Sequence, residues 1–160
     1  MDIDCGLAQE NHWFRYRSGG IIINDDKMLF VRSGIGNYYY MIGGGVHLGE
    51  TSIECIEREV KEECGLDVEA DHLAVVCENF FKGKGGIIDG YDCHTLEFYY
   101  VMKVGSVEGL KETTDSGEDL IWLNIDQISV SNIKPSFIRE RIGEIIKSDR
   151  VIHVIEARDR

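Results

Sequence analysis

Three glutamates within the segment Gly44–Leu66 have the type and spacing of a divalent-cation site. On a helix that turns ~100° per residue, Glu59, Glu62 and Glu63 fall on one flank. Like charges at this spacing repel each other by about a few tenths of a kcal/mol per pair. Hard cations that prefer oxygen ligands would turn this repulsion into attraction. The pattern therefore predicts metal binding, and the alternative is a solvated acidic helix face.

A glycine-rich turn and a helix start precede these glutamates and would position them. The run Gly43–Gly45 lets the backbone approach a ligand closely and expose a carbonyl oxygen as a further ligand. Thr51 followed by Glu54 has the pattern of a capping box, and Gly65 suits the end of the helix. Glu54 and Glu57 are expected to serve capping or to face solvent. The predicted buried stripe of this helix is Ile53, Ile56, Val60 and Cys64.

The rest of the chain reads as short strands separated by turns, with one further helix. That helix is expected to run to Lys147, with Pro135 in its first turn. Residues 1–12 are expected to form a loose lead-in, and Lys82–Asp92 a mobile glycine-rich loop. No boundary divides the chain, so a single domain over residues 1–160 is predicted. The predicted strands are 14–23, 28–32, 38–42, 66–81, 94–104, 120–123 and 151–157.

The spacing in this segment resembles the box of the Nudix hydrolase family. The box is Gly, five residues, Glu, seven residues, Arg-Glu, an aliphatic residue, any residue, Glu-Glu, any residue, Gly and an aliphatic residue. One departure lies outside it, because many members have proline where this chain has Ile42. The box itself matches without exception, at Gly44, Glu50, Arg58, Glu59, Val60, Glu62, Glu63, Gly65 and Leu66.

The resemblance implies an α/β/α sandwich with a mixed central sheet, in which the box forms a loop–helix–loop. It also implies hydrolysis of a phosphoanhydride bond in a nucleoside diphosphate linked to another moiety, with Mg²⁺ as cofactor and Mn²⁺ as a substitute. Glu59 and Glu63 would be the main metal ligands, and Glu62 a further ligand or the group that orients water. Gly44 would lie in the metal-binding turn. Two supports that orient the glutamates would be Glu50 and Arg58.

Five residues outside the box are candidates for substrate binding or for a further catalytic role. Family members often recruit another acid, and here it would be Glu97 on a predicted strand or Glu118 in a loop. For each, the alternative is a surface or locally paired glutamate. Guanidinium groups bind phosphate bidentately. The candidate arginines are Arg15, Arg17 and Arg32.

Composition and charge limit the classes of molecule that the protein is expected to bind. The formal net charge of −12 argues against long nucleic acid. A phosphorylated small molecule, here a nucleotide derivative, remains compatible with an acidic site because bound cations reverse the local charge. The chain has no apolar run of bilayer length and no secretory signal, so the expectation is a cytoplasmic protein without a membrane partner.

Cysteine usage agrees with this location. Five cysteines without a CxxC pair predict free and mostly buried thiols. A homodimer is the default expectation for the oligomeric state.

Two other functions share parts of this pattern. A nucleotide-sensing or scaffold domain on the same fold would lack catalysis, but Glu59, Glu62 and Glu63 are all present. A calcium-binding structural protein is disfavoured because the chain has no DxDxDG loop. The leaving group stays open among sugar nucleotides, ADP-ribose, dinucleoside polyphosphates, oxidised nucleoside triphosphates and capped RNA, with long RNA disfavoured by the charge.

Overall fold

The computed structural model describes residues 2–156 of the chain. Within this range ten strands and three α-helices follow one another, with a 3₁₀ turn at Gly86–Ile88. The strands are β1 (Gly6–Gln9), β2 (His12–Ile21), β3 (Ile23–Asn24), β4 (Lys27–Arg32), β5 (Tyr39–Tyr40), β6 (Gly43–Gly45), β7 (Glu69–Lys82), β8 (Asp92–Lys103), β9 (Leu120–Asn124) and β10 (Ile152–Glu156). The helices are α1 (Ser52–Cys64), α2 (Ile125–Ile128) and α3 (Phe137–Lys147).

The larger sheet is mixed and has the strand order β1-β2-β8-β7-β10. Strand β2 runs parallel to β8, β7 runs parallel to β10, and the other pairs are antiparallel. Since β8 occupies one edge of β2, the short strands β1 and β6 share its other edge end to end. A smaller sheet has the order β3-β4-β5, with β9 also paired to β4.

Helices cover both sides of the strands. On one side α1 buries Ile56, Val60 and Cys64 in a core shared with Tyr100 and Met102 of β8. On the other side α3 packs with Cys77 of β7 and Tyr99 of β8 in a second core, through Phe137, Ile138, Ile142 and Ile145. The predicted α/β/α sandwich with a mixed sheet is therefore present.

Local signals set both ends of α1 as predicted. The Glu54 N–H donates to Thr51 Oγ1 (3.2 Å) and the Thr51 N–H donates to the Glu54 carboxylate (2.8 Å), which completes the capping box. Gly65 ends the helix in the left-handed conformation, with φ of 77°.

Two expectations for this helix are wrong. Ile53 is 44% exposed, because the first turn docks through Ser52, whose hydroxyl meets Tyr100 OH (2.7 Å) and whose carbonyl accepts from Ser18 Oγ (2.7 Å). Glu57 does not simply face solvent, since it accepts the Ala70 N–H (2.9 Å) where β7 begins.

The expectation of a loose lead-in is also wrong for the stretch that follows Ile3. Gly6–Gln9 forms β1, and the Cys5 N–H donates to Val46 O (2.7 Å). Asp4 pairs with Arg15 (2.6 Å). Strand β1 thus pairs with the part of the β2 edge that the short strand β6 leaves uncovered.

The second predicted helix begins two residues later than expected. Ser136 is the N-cap of α3, and Glu156 of β10 accepts from both Ser136 Oγ (3.1 Å) and the Phe137 N–H (2.6 Å). This distant carboxylate, rather than Pro135, fixes the helix start. Ala157, the predicted end of the last strand, lies outside the described residues.

The predicted loop Lys82–Asp92 joins β7 to β8 and is closed at its base by an ion pair between these two residues (3.0 Å). None of the helices in residues 2–156 has the length and apolar character that a membrane crossing requires.

Candidate active site

The glycine strand β6 brings the backbone against the carboxylate of Glu59. Gly44 pairs with Ser18 of β2, and a side chain at this position would point to Glu59 of α1. A Cβ at Gly44 would lie 2.3 Å from Glu59 Oε1 and 2.7 Å from Oε2, closer than real Cβ contacts. Glycine is therefore required here for Glu59 to hold its position.

Arg58 organises the carboxylates around the turn. Its Nε and Nη2 donate to the two oxygens of Glu50 (2.7 and 3.0 Å), in a bidentate pair. The Nη2 group also donates to Gly45 O (3.3 Å). The hydrogen bond with Glu50, helped by one with Glu59, raises the pKa of Arg58. The same bond, together with the His47 N–H, lowers the pKa of Glu50. Both groups are thus held in their charged forms.

Glu59 and Glu62 share the remaining nitrogen of this guanidinium. Arg58 Nη1 donates to Glu59 Oε1 (2.8 Å) and to Glu62 Oε2 (3.2 Å). The Glu59 side chain is 12% exposed and that of Glu62 is 52% exposed. Solvent screens exposed ion pairs, so Arg58 restrains Glu59 more than Glu62.

Glu63 lies on the other side of the cluster and has no cation within ion-pair distance among the described residues. Its Oε2 accepts the backbone N–H of Asp115 (3.2 Å). Burial raises the pKa of Glu63, and the charges of Glu59 and Asp115 act in the same direction. Glu63 is therefore a half-buried carboxylate in an environment with excess negative charge.

A large open groove is lined by residues of β2, β7 and β8 and of the loops 33–37 and 83–91, and its closest link to the glycine turn is Arg17, which pairs with Gly45. Arg17 lies at its inner end, where Nε is buried and lacks a hydrogen-bond partner among the described residues. Burial acts to lower the pKa of Arg17, but interactions with Glu97, Tyr99, Glu59 and Tyr40 together outweigh it, so the pKa is raised. The residues that line the groove include Trp13, Phe14, Arg17, Tyr38, Tyr40, Phe80, Glu97, Glu118 and Lys134.

Glu97 is 2% exposed and forms the floor of the groove beside Arg17. It accepts from Thr95 Oγ1 (2.6 Å), Asn79 Nδ2 (3.3 Å) and the hydroxyl of Tyr99. Burial raises the pKa of Tyr99 far above its ordinary value, so the phenol remains a donor.

The other predicted substrate residues have different surroundings. Arg15 pairs with Asp4 at the sheet edge, and Arg32 pairs with the exposed Asp119 (3.4 Å). Neither arginine lines the groove. Glu118 reaches the groove wall, where it accepts the Gly34 N–H (2.7 Å) and Tyr40 OH (2.6 Å).

Comparison with known proteins places the chain in a family. The model of the NUDIX domain matches residues 13–145. The chain belongs to the Nudix family. A MutT-like protein of Streptomyces ambofaciens is 26% identical over 112 residues, which cover 70% of this chain and 64% of the relative. The alignment thus spans less than two thirds of that relative's length.

Solved structures share the fold at low sequence identity. A MutT protein from Bacillus halodurans superposes with a TM-score of 0.63 and 17% identity, over 87% of this chain and 86% of that one. An ADP-ribose pyrophosphatase from Streptococcus suis 89-1591 superposes with a TM-score of 0.57 and 18% identity, over 88% and 98% of the two chains.

Nudix enzymes generally use divalent metals, and the residues of the box fit such a group. No three metal-ligating side chains already surround a common point within residues 2–156, since Glu59 and Glu62 are turned to Arg58 and Glu63 to Asp115. The donors are nonetheless hard carboxylate oxygens, which divalent cations prefer. The close approach of Gly44 to Glu59 leaves room there only for a residue without a side chain.

Two contacts of this Nudix site escaped the sequence pattern. Asp115 contributes its backbone N–H, which every residue except proline possesses, so no side-chain signal marks it. Tyr40 belongs to the run Tyr38–Tyr40, which predicts an aromatic strand but does not show which ring meets Glu118.

Proposed function

We propose that this Nudix protein is a metal-dependent hydrolase of a phosphoanhydride bond in a nucleoside diphosphate linked to another moiety. One observation carries the proposal: Arg58 binds the carboxylates of Glu50, Glu59 and Glu62 next to the Gly44 turn, while Glu63 has no ion-pair partner within residues 2–156. A purely structural helix face gains nothing from three carboxylates held this close together.

The metal in this proposal is Mg²⁺, with Mn²⁺ as a substitute. Glu59, Glu62 and Glu63 would hold it, together with the backbone of Gly44. A bound divalent cation supplies charge neutralisation of the diphosphate and lowers the pKa of bound water. In the absence of substrate, the ion pairs of Arg58 with Glu59 (2.8 Å) and Glu62 (3.2 Å) offset part of the repulsion between these two carboxylates.

Groups of the groove would bind the rest of the substrate. Arg17 is a half-buried residue beside the glycine turn, and its guanidinium suits a phosphate oxygen because the buried Nε lacks a partner among the described residues. Aromatic rings of the groove, such as Trp13 and Tyr38, offer surfaces for a base or sugar. The name of the Streptococcus suis protein, an ADP-ribose pyrophosphatase, supports a substrate of this class.

The acidic surface supports a small nucleotide derivative rather than long RNA. The five cysteines are all free, which supports a reducing, cytoplasmic location.

A panel of nucleotide derivatives, assayed for phosphate or nucleotide release with Mg²⁺ or Mn²⁺, tests the proposal. We expect turnover of at least one nucleoside diphosphate derivative and none with EDTA. Glu63→Gln is expected to lower kcat by more than about tenfold, a loss of about 1.4 kcal/mol in transition-state stabilisation. The exposed Glu69→Gln serves as the matched control and should retain wild-type turnover.

Wild-type turnover by Glu63→Gln at saturating Mg²⁺ would show that this carboxylate is not a working ligand. Tight nucleotide binding without turnover of any compound would instead favour the non-catalytic sensor.

A further inference from the structure

A short turn, residues 114–118, contacts both the glutamate helix and the groove wall. At the helix, the Asp115 N–H donates to Glu63 Oε2 (3.2 Å). Next to the turn, Lys111 Nζ donates to Glu62 O (2.6 Å) and to Asp115 Oδ1 (2.8 Å). Asp115 therefore contacts the carboxylate of Glu63 directly, and through Lys111 it is linked to the backbone of Glu62.

The far end of the turn reaches the loop 33–37. Glu118 Oε2 accepts the Gly34 N–H (2.7 Å), and Glu118 Oε1 accepts Tyr40 OH (2.6 Å). Each carboxylate oxygen thus holds a different part of the segment between β4 and β6. Burial and this hydrogen bond both raise the pKa of Tyr40, so its phenol stays a donor.

Hydrogen bonds within residues 114–118 stabilise the turn itself. The Thr114 N–H donates to Glu118 O (2.8 Å), and the Gly117 N–H donates to Thr114 O (2.9 Å). Gly117 has a φ of 85°, which glycine adopts without strain. Thr114 is 6% exposed, and its hydroxyl accepts the Glu118 N–H (3.2 Å). The backbone that carries Glu118 is therefore held in place by the turn.

The loop that Glu118 holds forms part of the mouth of the groove. Residues 33–38 and Tyr40 line it. Ile35 also lies against the opposite loop, since a Cβ on Gly85 would come within 3.4 Å of its Cδ1. Movement of the loop 33–37 would therefore change the width of the groove where substrate enters.

We propose that Glu118 is a positioning residue, which clasps the loop 33–37 to Tyr40 and so sets the spacing between the groove wall and Glu63. Its two oxygens are already occupied by donors from that wall, which distinguishes it from an acid free to act on the substrate. Loss of the clasp releases the loop and weakens substrate binding, while the chemical step is affected much less.

Two independent measurements test the clasp, and only the second rests on the proposed hydrolase function. The first is hydrogen exchange of the Gly34 amide by NMR in the full chain. We expect Glu118→Ala to accelerate this exchange by about tenfold or more. Glu118→Gln, which keeps a carbonyl acceptor, should restore part of the protection, and Tyr40→Phe should give a smaller acceleration. The exposed Glu112→Ala, on the same segment, should leave Gly34 unchanged.

The second measurement separates KM from kcat on whichever substrate the panel identifies. We expect Glu118→Ala to raise KM by about tenfold and to change kcat by less than about threefold. Unchanged Gly34 exchange in Glu118→Ala would overturn the clasp even if no substrate is ever turned over. A large loss of kcat in Glu118→Gln, with KM and Gly34 exchange unchanged, would also overturn it and place Glu118 in the chemistry.

Discussion

Gly44 is the glycine of the turn at which an added Cβ would meet the Glu59 carboxylate of helix α1. An added Cβ would lie 2.3 to 2.7 Å from the Glu59 carboxylate, so any side chain there must displace it. Glu59 is in turn held by Arg58 Nη1 (2.8 Å). Displacement of Glu59 therefore also affects Arg58 Nη1, the nitrogen that Glu62 shares.

We expect Gly44→Ala to lower kcat/KM by about tenfold or more, since ~1.4 kcal/mol of transition-state stabilisation corresponds to that factor. The physical reason is the steric displacement of Glu59, which requires no loss of the core. Steady-state kinetics and the Tm from calorimetry measure the two effects separately.

Gly143 provides the matched control. It lies exposed within α3, and an added Cβ would meet nothing within 4 Å. Alanine in an exposed helix interior is more stable than glycine by about 0.5–1 kcal/mol. Gly143→Ala should therefore raise the Tm and preserve activity. Equal activity of the two alanine variants would contradict the role assigned to Gly44.

At the scale of elements, the capping box of α1 aligns the helix that carries the glutamates. Thr51→Ala removes the side-chain acceptor of the Glu54 N–H. Loss of such a cap costs about 1 kcal/mol, which corresponds to a fall in Tm of about 2–4 °C for a chain of this size.

Thermal unfolding of Thr51→Ala measures this cost, and the exposed Thr113→Ala serves as a control for threonine loss. Because Thr51 and Glu54 bond each other reciprocally, the effects of Thr51→Ala and Glu54→Ala should not add in the double variant. Strict additivity of the two losses in stability would show that the two hydrogen bonds of the capping box form independently.

The two long helices differ in how far sequence predicts them. Signals for α1 are local, since its cap, its end at Gly65 and its glutamates lie within one segment. The start of α3 depends on Glu156, which is 19 residues away from Phe137. Local sequence patterns predict the ends of α1. They cannot predict the start of α3, because Glu156 reaches it only once strand β10 has joined the sheet.

At the scale of the whole molecule, burial controls the chemistry of the thiols. Cys55, Cys64, Cys77 and Cys93 are buried, and Cys5 alone is partly accessible. Burial raises the pKa of Cys55 and of Cys64 to about 12. Since the thiolate is the reactive form, buried thiols react slowly at neutral pH.

We therefore expect one thiol, Cys5, to react with an alkylating reagent in the native protein at pH 7.5, and all five in denaturant. Mass spectrometry of the labelled peptides measures this order. Fast native labelling of Cys77, which packs in the core beneath α3, would show that this core opens readily.

The sequence by itself determined the glutamate helix, its caps, the family and the free state of the cysteines, since each depends on residue types at fixed local spacing. Tertiary structure decided which outlying residues meet the site. It gave Arg15 and Arg32 partners away from the groove, brought Arg17 and Glu97 together across neighbouring strands, and set Glu118 against Gly34 and Tyr40. Apart from the pair of Arg15 with Asp4, these contacts join residues far apart in the chain, and their formation depends on strand order and loop closure. Residue types and their local spacing therefore do not predict these contacts.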